Sequence, residues 1–177
     1  MKYHALTISG KICTGKSALF KLLEQKLGWE VYSASRFFRE WCRDHNMPIF
    51  AAELRPVELT REIDQGMREM LLQKEKIILE GWLAGYMAQG IPQVLKILLV
   101  CKDEERIKRF AKREGILFEK AKEEIQKRED NLFQKWKRVY GRADFFEPQY
   151  YDLVVDTADL KLKEVVDLVL ARISSNK

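Results

Sequence analysis

Eight consecutive residues, Gly10-Lys11-Ile12-Cys13-Thr14-Gly15-Lys16-Ser17, satisfy the pattern G-x-x-x-x-G-K-[ST] in full. The residue types at this spacing bind polyphosphate. Glycines let the chain curl so that backbone N–H groups face the α- and β-phosphates of a nucleotide. A helix beginning at Lys16 and Ala18 presents its positive N-terminal end to the same anion. The Lys16 ammonium then reaches the β- and γ-phosphates, and the Ser17 hydroxyl can ligate Mg2+. Residues Gly10 through Ala18 are therefore the expected ATP contacts, with Ser17 as a metal ligand. A chance match in a chain of ordinary composition is on the order of 1 in 100 or rarer.

Other residues have chemistry to offer such a loop. Glu80 closes a strand-like run, and a carboxylate at that sheet edge can hold a Mg2+-bound water. Arg106, Arg109 and Arg113 are three and four apart and share one helix face, and Arg128 and Lys135 follow on the next helix. Arginines closing over a transferred phosphoryl group stabilise its charge; Glu105–Arg109 and Glu124–Arg128 also read as plain i,i+4 surface pairs. Arg36 and Arg39, interleaved with Phe37, Phe38 and Trp41, are candidates to grip the phosphate of an acceptor. His4 and His45 belong to no cluster and are read as structural.

These groups need a scaffold that brings them to one edge. Strand patterns over Tyr3–Ser9, Trp29–Tyr32, Lys76–Leu79, Val94–Cys101 and Asp152–Asp156 alternate with helical ones. Helices are expected over Lys16–Leu27, 35–45, 50–54, 57–74, 103–114, 118–140 and 161–173, with Pro48 and Pro56 as breaks. Alternation of this kind predicts an α/β fold, a doubly wound parallel sheet flanked by helices. The excursions 35–74 and 103–140 exceed what sheet connections need and are candidate substrate-binding insertions.

Composition excludes several classes. Hydrophobic residues make up 46% and charged residues 33% of the 177, which suits a globular domain with a charged surface. No run approaches the roughly 18 apolar residues of a membrane span, and the start lacks a signal-peptide pattern. Three scattered cysteines, Cys13, Cys42 and Cys101, offer neither a disulfide framework nor a zinc site, so a cytoplasmic location is expected. The net charge of +5 lies wholly in residues 102–142, with fourteen Lys and Arg against nine Asp and Glu. Such a segment reads plainly as a solvated helix pair; the interleaved acids argue against nucleic-acid binding.

Over nearly its whole length the chain resembles the nucleoside-monophosphate kinases, and among them the archaeal-type cytidylate kinases. The resemblance is carried by the loop, Leu27-Gly28, Tyr32-Ser33-Ala34, Phe38-Arg39-Glu40, Glu62-Ile63-Asp64, Glu80-Gly81, Leu83 to Met87, Arg109 to Gly115, Arg128-Glu129, Tyr140-Gly141 and Tyr151 to Thr157. It implies a P-loop NTPase fold with a five-stranded parallel sheet: a core of 1–34, 75–102 and 150–177, an acceptor-binding insertion over 35–74, and a lid over 103–145. It also implies Mg2+-dependent transfer of the γ-phosphoryl group of ATP to CMP or dCMP by a single domain, with Lys16, Arg109, Arg113 and Arg128 catalytic and Arg39 on the acceptor phosphate. A monomer with no membrane or nucleic-acid partner is the expectation. The chain departs from the family pattern at Ser35-Arg36 in place of Gly-Asp, at Trp82 in place of Arg, and at Lys135 in place of a lid Arg. Arg36 is a gained positive charge on the same side of the site. A kinase for another small acceptor, or a nucleotide-binding regulatory module, remains the alternative on sequence grounds.

Overall fold

In the computed structural model, which describes residues 2–48, 51 and 54–174, five strands form one parallel sheet in the order β2-β3-β1-β4-β5. The strands are β1 (Ala5–Gly10), β2 (Glu30–Ser33), β3 (Ile77–Glu80), β4 (Val94–Val100) and β5 (Leu153–Asp156). Helices α1 (Lys16–Leu27), α2 (Ala34–Asp44), α3 (Val57–Gln73), α4 (Ala84–Met87), α5 (Asp103–Glu114), α6 (Phe118–Tyr140) and α7 (Leu162–Ser174) connect and cover them. Every residue of β1 and β3 is buried, as a parallel sheet with both faces covered requires.

Strand residues alternate between the two faces. Leu6, Ile8 and Ile78 pack with Leu19 and Leu23 of α1 and with Val165, Val166, Val169 and Ile173 of α7. Ala5, Ile77 and Leu79 pack on the other face against Met67 and Leu71 of α3 and Ala84 of α4. Helices α5 and α6 form a hairpin with its own core of Ile107, Phe110, Ala121 and Ile125, against which Ile12 and Cys13 are packed. Among the described residues no helix is long and apolar enough to cross a membrane.

The expected elements form, with shifted ends. Strand β3 begins at Ile77 because Lys76 takes φ +54, a left-handed turn no strand accepts. Most of the helix expected over 50–54 lies outside the described residues. Helix α4, four residues long, is too short to show periodicity in the sequence. It matters because Gly85 sits against the sheet edge, its N–H donating to Ser9 Oγ at 2.8 Å.

A Cβ on Gly85 would lie 2.4 Å from Tyr151 Cε1 and 3.2 Å from Ser9 Oγ, so Gly85→Ala should destabilise by roughly 1–3 kcal/mol in urea unfolding. Gly66, inside α3 with nothing within 4 Å of the same atom, should instead gain roughly 0.5–1 kcal/mol on substitution by Ala. Equal effects at the two sites would contradict this packing.

Candidate functional site

The loop between β1 and α1 can be built only from particular residues. At Gly10 (φ +146) a Cβ would stand 2.4 Å from the Leu99 carbonyl oxygen and 2.7 Å from Thr14 Oγ1. Gly15 takes φ +95 as the N-cap of α1. Cys13 is left-handed at φ +59, which costs a residue with a side chain about 1–2 kcal/mol. Neighbours hold the loop in this shape. The Lys11 carbonyl accepts from Thr14 Oγ1 (3.0 Å) and Lys16 Nζ (2.8 Å). The Ile12 carbonyl accepts from Arg106 Nε (2.9 Å), and the Thr14 carbonyl from Thr157 Oγ1 (3.0 Å).

Helix α1 has neither a capping side chain nor an acid in its first turn, whereas α3, α5, α6 and α7 each carry an acid there. Its positive end is left for an anion. Lys16 is only 7% exposed, and burial lowers the pKa of its ammonium against the opposing pull of Glu80. Burial raises the Cys13 thiol, so it stays protonated at neutral pH and supplies no nucleophile.

A cleft of about 610 Å3 opens beside the loop. Ile12, Cys13, Gly15, Lys16, Ser17 and Ala18 form its loop wall. Glu80, Arg39, Arg109, Arg113 and Arg128 complete a ring of charge around it. Gly10, Lys11 and Thr14 stand behind that wall: Thr14 is buried, and the Lys11 side chain turns to Glu129 (3.5 Å). Arg36 lies in a smaller adjoining pocket of about 280 Å3, shared with Ser17, Arg39 and Glu80.

Glu80 is 1% exposed and sits beside Ser33 in the sheet register. The hydroxyls of Ser33 and Ser35 both donate to its carboxylate, which fixes its orientation. With Ser17 on the same two cavity walls, the donor set is all oxygen, one hydroxyl and one carboxylate. That set fits Mg2+, which takes few protein ligands and fills its octahedron with water and phosphate oxygens.

The arginines of the α5–α6 hairpin divide into two kinds. Arg113 and Arg128, both on the cleft wall, each place the guanidinium carbon 4.9 Å from the ring centroid of the buried Phe110. Arg128 Nε is buried with no hydrogen-bond partner among the described residues, and burial lowers the pKa of its guanidinium. A phosphate oxygen would satisfy that donor. Arg109 bonds Thr157 Oγ1 (3.2 Å) and the Thr157 carbonyl (2.6 Å), which fastens α5 to the end of β5. The i,i+4 pairs Glu105–Arg109 (3.1 Å) and Glu124–Arg128 (3.6 Å) form, and both arginines also line the cleft. Arg106 differs from the expectation that it shares the cleft face. It is 2% exposed, off the cleft wall, and bound to Ile12, Asp103 and Glu129.

Known proteins are similar to this chain in sequence and in fold. The Cytidylate kinase-like family matches residues 58–159, more than half of the chain. The chain belongs to that family. A cytidylate kinase of Thermoplasma acidophilum is 34% identical, the match covering 95% of this chain and 91% of that one. The cytidylate kinase of Methanosarcina mazei is 30% identical over 96% of both. Solved structures share the fold at lower identity: an uncharacterized protein from Eubacterium ventriosum (TM-score 0.70, 15% identity, 98% and 99% covered) and a gluconokinase from Sinorhizobium meliloti (0.62, 13%, 98% and 93%). A shikimate kinase from Acinetobacter baumannii is another (0.60, 14%, 99% and 95%).

The departures from the cytidylate kinase pattern now have positions. Ser35 is a second donor to Glu80. Trp82 lies with its ring centroid 5.5 Å from Lys16 Nζ and packs edge-on to Trp136 at 5.7 Å. Lys135 is buried and donates to the carbonyls of Arg55 and Pro56, joining α6 to the start of α3. The cleft also contains residues that sequence reasoning did not single out as site residues: Arg55, Thr60, Asp64 and Trp136. Arg55, whose guanidinium carbon is 4.4 Å from the Phe38 ring centroid, brings a further cation to the cleft that Arg39 lines. Asp64 belongs to the Glu62-Ile63-Asp64 motif, in which nothing local marks it as facing a cleft.

Removing one partner from the buried Arg106–Glu129 pair should be costly. Arg106→Met is expected to destabilise by roughly 3–5 kcal/mol. The Arg106→Met/Glu129→Met double variant should recover part of that, giving a coupling above about 1 kcal/mol in a denaturation cycle. Additive effects would mean that the two side chains do not interact.

Asp64 yields a pH prediction. Burial raises its pKa to about 6, against a lowering hydrogen bond from Tyr140 and the charge of Arg55. The folded value exceeds the unfolded one, so the group costs stability as pH rises from about 4 to about 6, and the cost is constant above that. The stability of Asp64→Asn relative to the parent should climb over that window by roughly 1–3 kcal/mol. A difference flat with pH would contradict the burial.

Proposed function

We propose that this protein transfers the γ-phosphoryl group of ATP to CMP or dCMP, giving the diphosphate and ADP. The single observation that carries the proposal is one cleft lined by a nucleotide-type phosphate loop together with Arg39 and Arg55, in a chain whose cytidylate kinase relatives match along 95% of it. An oxygen of the acceptor phosphate attacks the γ-phosphorus. The bond from that phosphorus to the β,γ-bridging oxygen breaks, and ADP leaves.

Residue roles follow from position. The loop N–H groups and the start of α1 hold the β-phosphate, and Lys16 bridges to the γ-phosphate. Ser17 and Glu80 would hold Mg2+, which neutralises charge developing on the phosphates. Arg39 takes the acceptor phosphate, in the insertion formed by 35–74. Arg109, Arg113 and Arg128 belong to a lid over 103–145 that surrounds the transferred group with positive charge and excludes water.

A coupled assay of ADP release with CMP, dCMP, UMP, AMP and GMP tests this. CMP or dCMP should give the highest kcat/KM; no acceptor-stimulated release with any of them would refute the proposal. Lys16→Ala should lower turnover by roughly 100-fold or more with the fold intact. Arg39→Ala should raise the acceptor KM or lower kcat while ATP affinity stays unchanged; loss of ATP affinity alone would remove Arg39 from the acceptor side.

A further inference from the structure

The end of the cleft around α3 holds a carboxyl group that phosphoryl transfer does not use. Asp64 is 6% exposed yet lies on the cleft wall, one helical turn beyond Thr60 and beside Met67. Among the described residues its carboxylate takes one hydrogen bond, from the Tyr140 hydroxyl to Oδ2 at 2.5 Å, and makes no ion pair within 4.0 Å. Oδ1 is left to accept from whatever enters. Oδ1 is not sealed off without a partner; it opens on the cleft, where a donor carried by a ligand can meet it.

The surroundings narrow that ligand. Phe38, Leu83 and Trp136 give the same cleft an apolar wall suited to a flat ring. Phe38 and Arg39 are consecutive on α2, so a ring beside Phe38 would have its phosphate within reach of Arg39. Cytosine presents a 4-amino donor at the edge where uracil and thymine present a 4-keto acceptor. A fixed carboxylate accepts from the first and opposes the lone pairs of the second. Adenine carries a similarly placed amino group, so the carboxylate sorts amino-bearing from keto-bearing bases, and the size of the cleft must do the rest.

We propose that Asp64, held in place by Tyr140, accepts a hydrogen bond from the exocyclic amino group of the acceptor base and so selects cytosine over uracil and thymine nucleotides. The assignment rests on the kinase reading above and names the specificity determinant of its acceptor half. Tyr140 is a positioning residue: it touches the carboxylate, and the carboxylate touches the base.

The test is kcat/KM for CMP and for UMP, measured with the parent protein, Asp64→Asn and Tyr140→Phe, each checked for folding by thermal unfolding. The parent should favour CMP by about 100-fold or more, since a buried site built for one hydrogen bond rejects the base that lacks it. Asp64→Asn carries an amide that can donate to a 4-keto oxygen; it should narrow that ratio at least tenfold, chiefly through the acceptor KM, with the KM for ATP unchanged. Tyr140→Phe keeps the carboxylate but releases its orientation and should narrow the ratio by a smaller factor. An unchanged ratio in a folded Asp64→Asn overturns the assignment and leaves the kinase reading standing. If Asp64→Asn does not fold, an unchanged ratio in Tyr140→Phe overturns it instead. A parent protein that phosphorylates neither nucleotide overturns the kinase reading and this assignment with it.

Discussion

A loop that turns its backbone N–H groups toward an anion must turn carbonyl groups away from it, and those carbonyls need donors. In this protein the donors come from three places. Thr14 and Lys16 serve the Lys11 carbonyl from within the loop and the start of α1. Arg106 of α5 serves Ile12, and Thr157 beyond β5 serves Thr14. Cys13 can stay at a positive φ because both sides of it are tied in this way. The shape of the loop is therefore partly a tertiary property, held by its own residues and by elements more than ninety residues away.

The same constraint organises the rest of the cleft. Arg106 also binds Glu129, whose neighbour Arg128 is on the cleft wall, so the loop and α6 are directly connected. One face of α6 then runs the length of the cleft. Arg128, Leu132, Lys135, Trp136 and Tyr140 follow at helical spacing, spanning about 18 Å from the phosphate loop to the buried Asp64. Lys135 fastens that helix to the carbonyls before α3, and Tyr140 fastens it to α3 itself. A single helix thus lines the cleft from the phosphate loop to α3.

How much of this was legible follows from where each part sits in the chain. The phosphate loop is eight consecutive residues, and the strands beside it are continuous apolar runs, so both could be read locally. Arg106 could not. Its spacing to Arg109 and Arg113 correctly predicts a shared helix face, but that face meets the loop at its first turn and the open cleft only later. Spacing gives direction and carries no information on depth. Arg55 is separated from every motif, and Asp64 and Tyr140 meet across 76 positions of sequence. Trp82 looked like a lost charge; the structure puts its ring beside Lys16 and brings Arg55 to the same cleft.

The most direct test of the account is a crystal structure of the protein with ADP, Mg2+ and CMP. It should show the β-phosphate on the loop amides and Lys16, the metal against Ser17 and on the Glu80 side, the CMP phosphate on Arg39, and the cytosine end of CMP toward α3. CMP bound outside the cleft, or its phosphate held away from Arg39 and facing away from the loop, would contradict it.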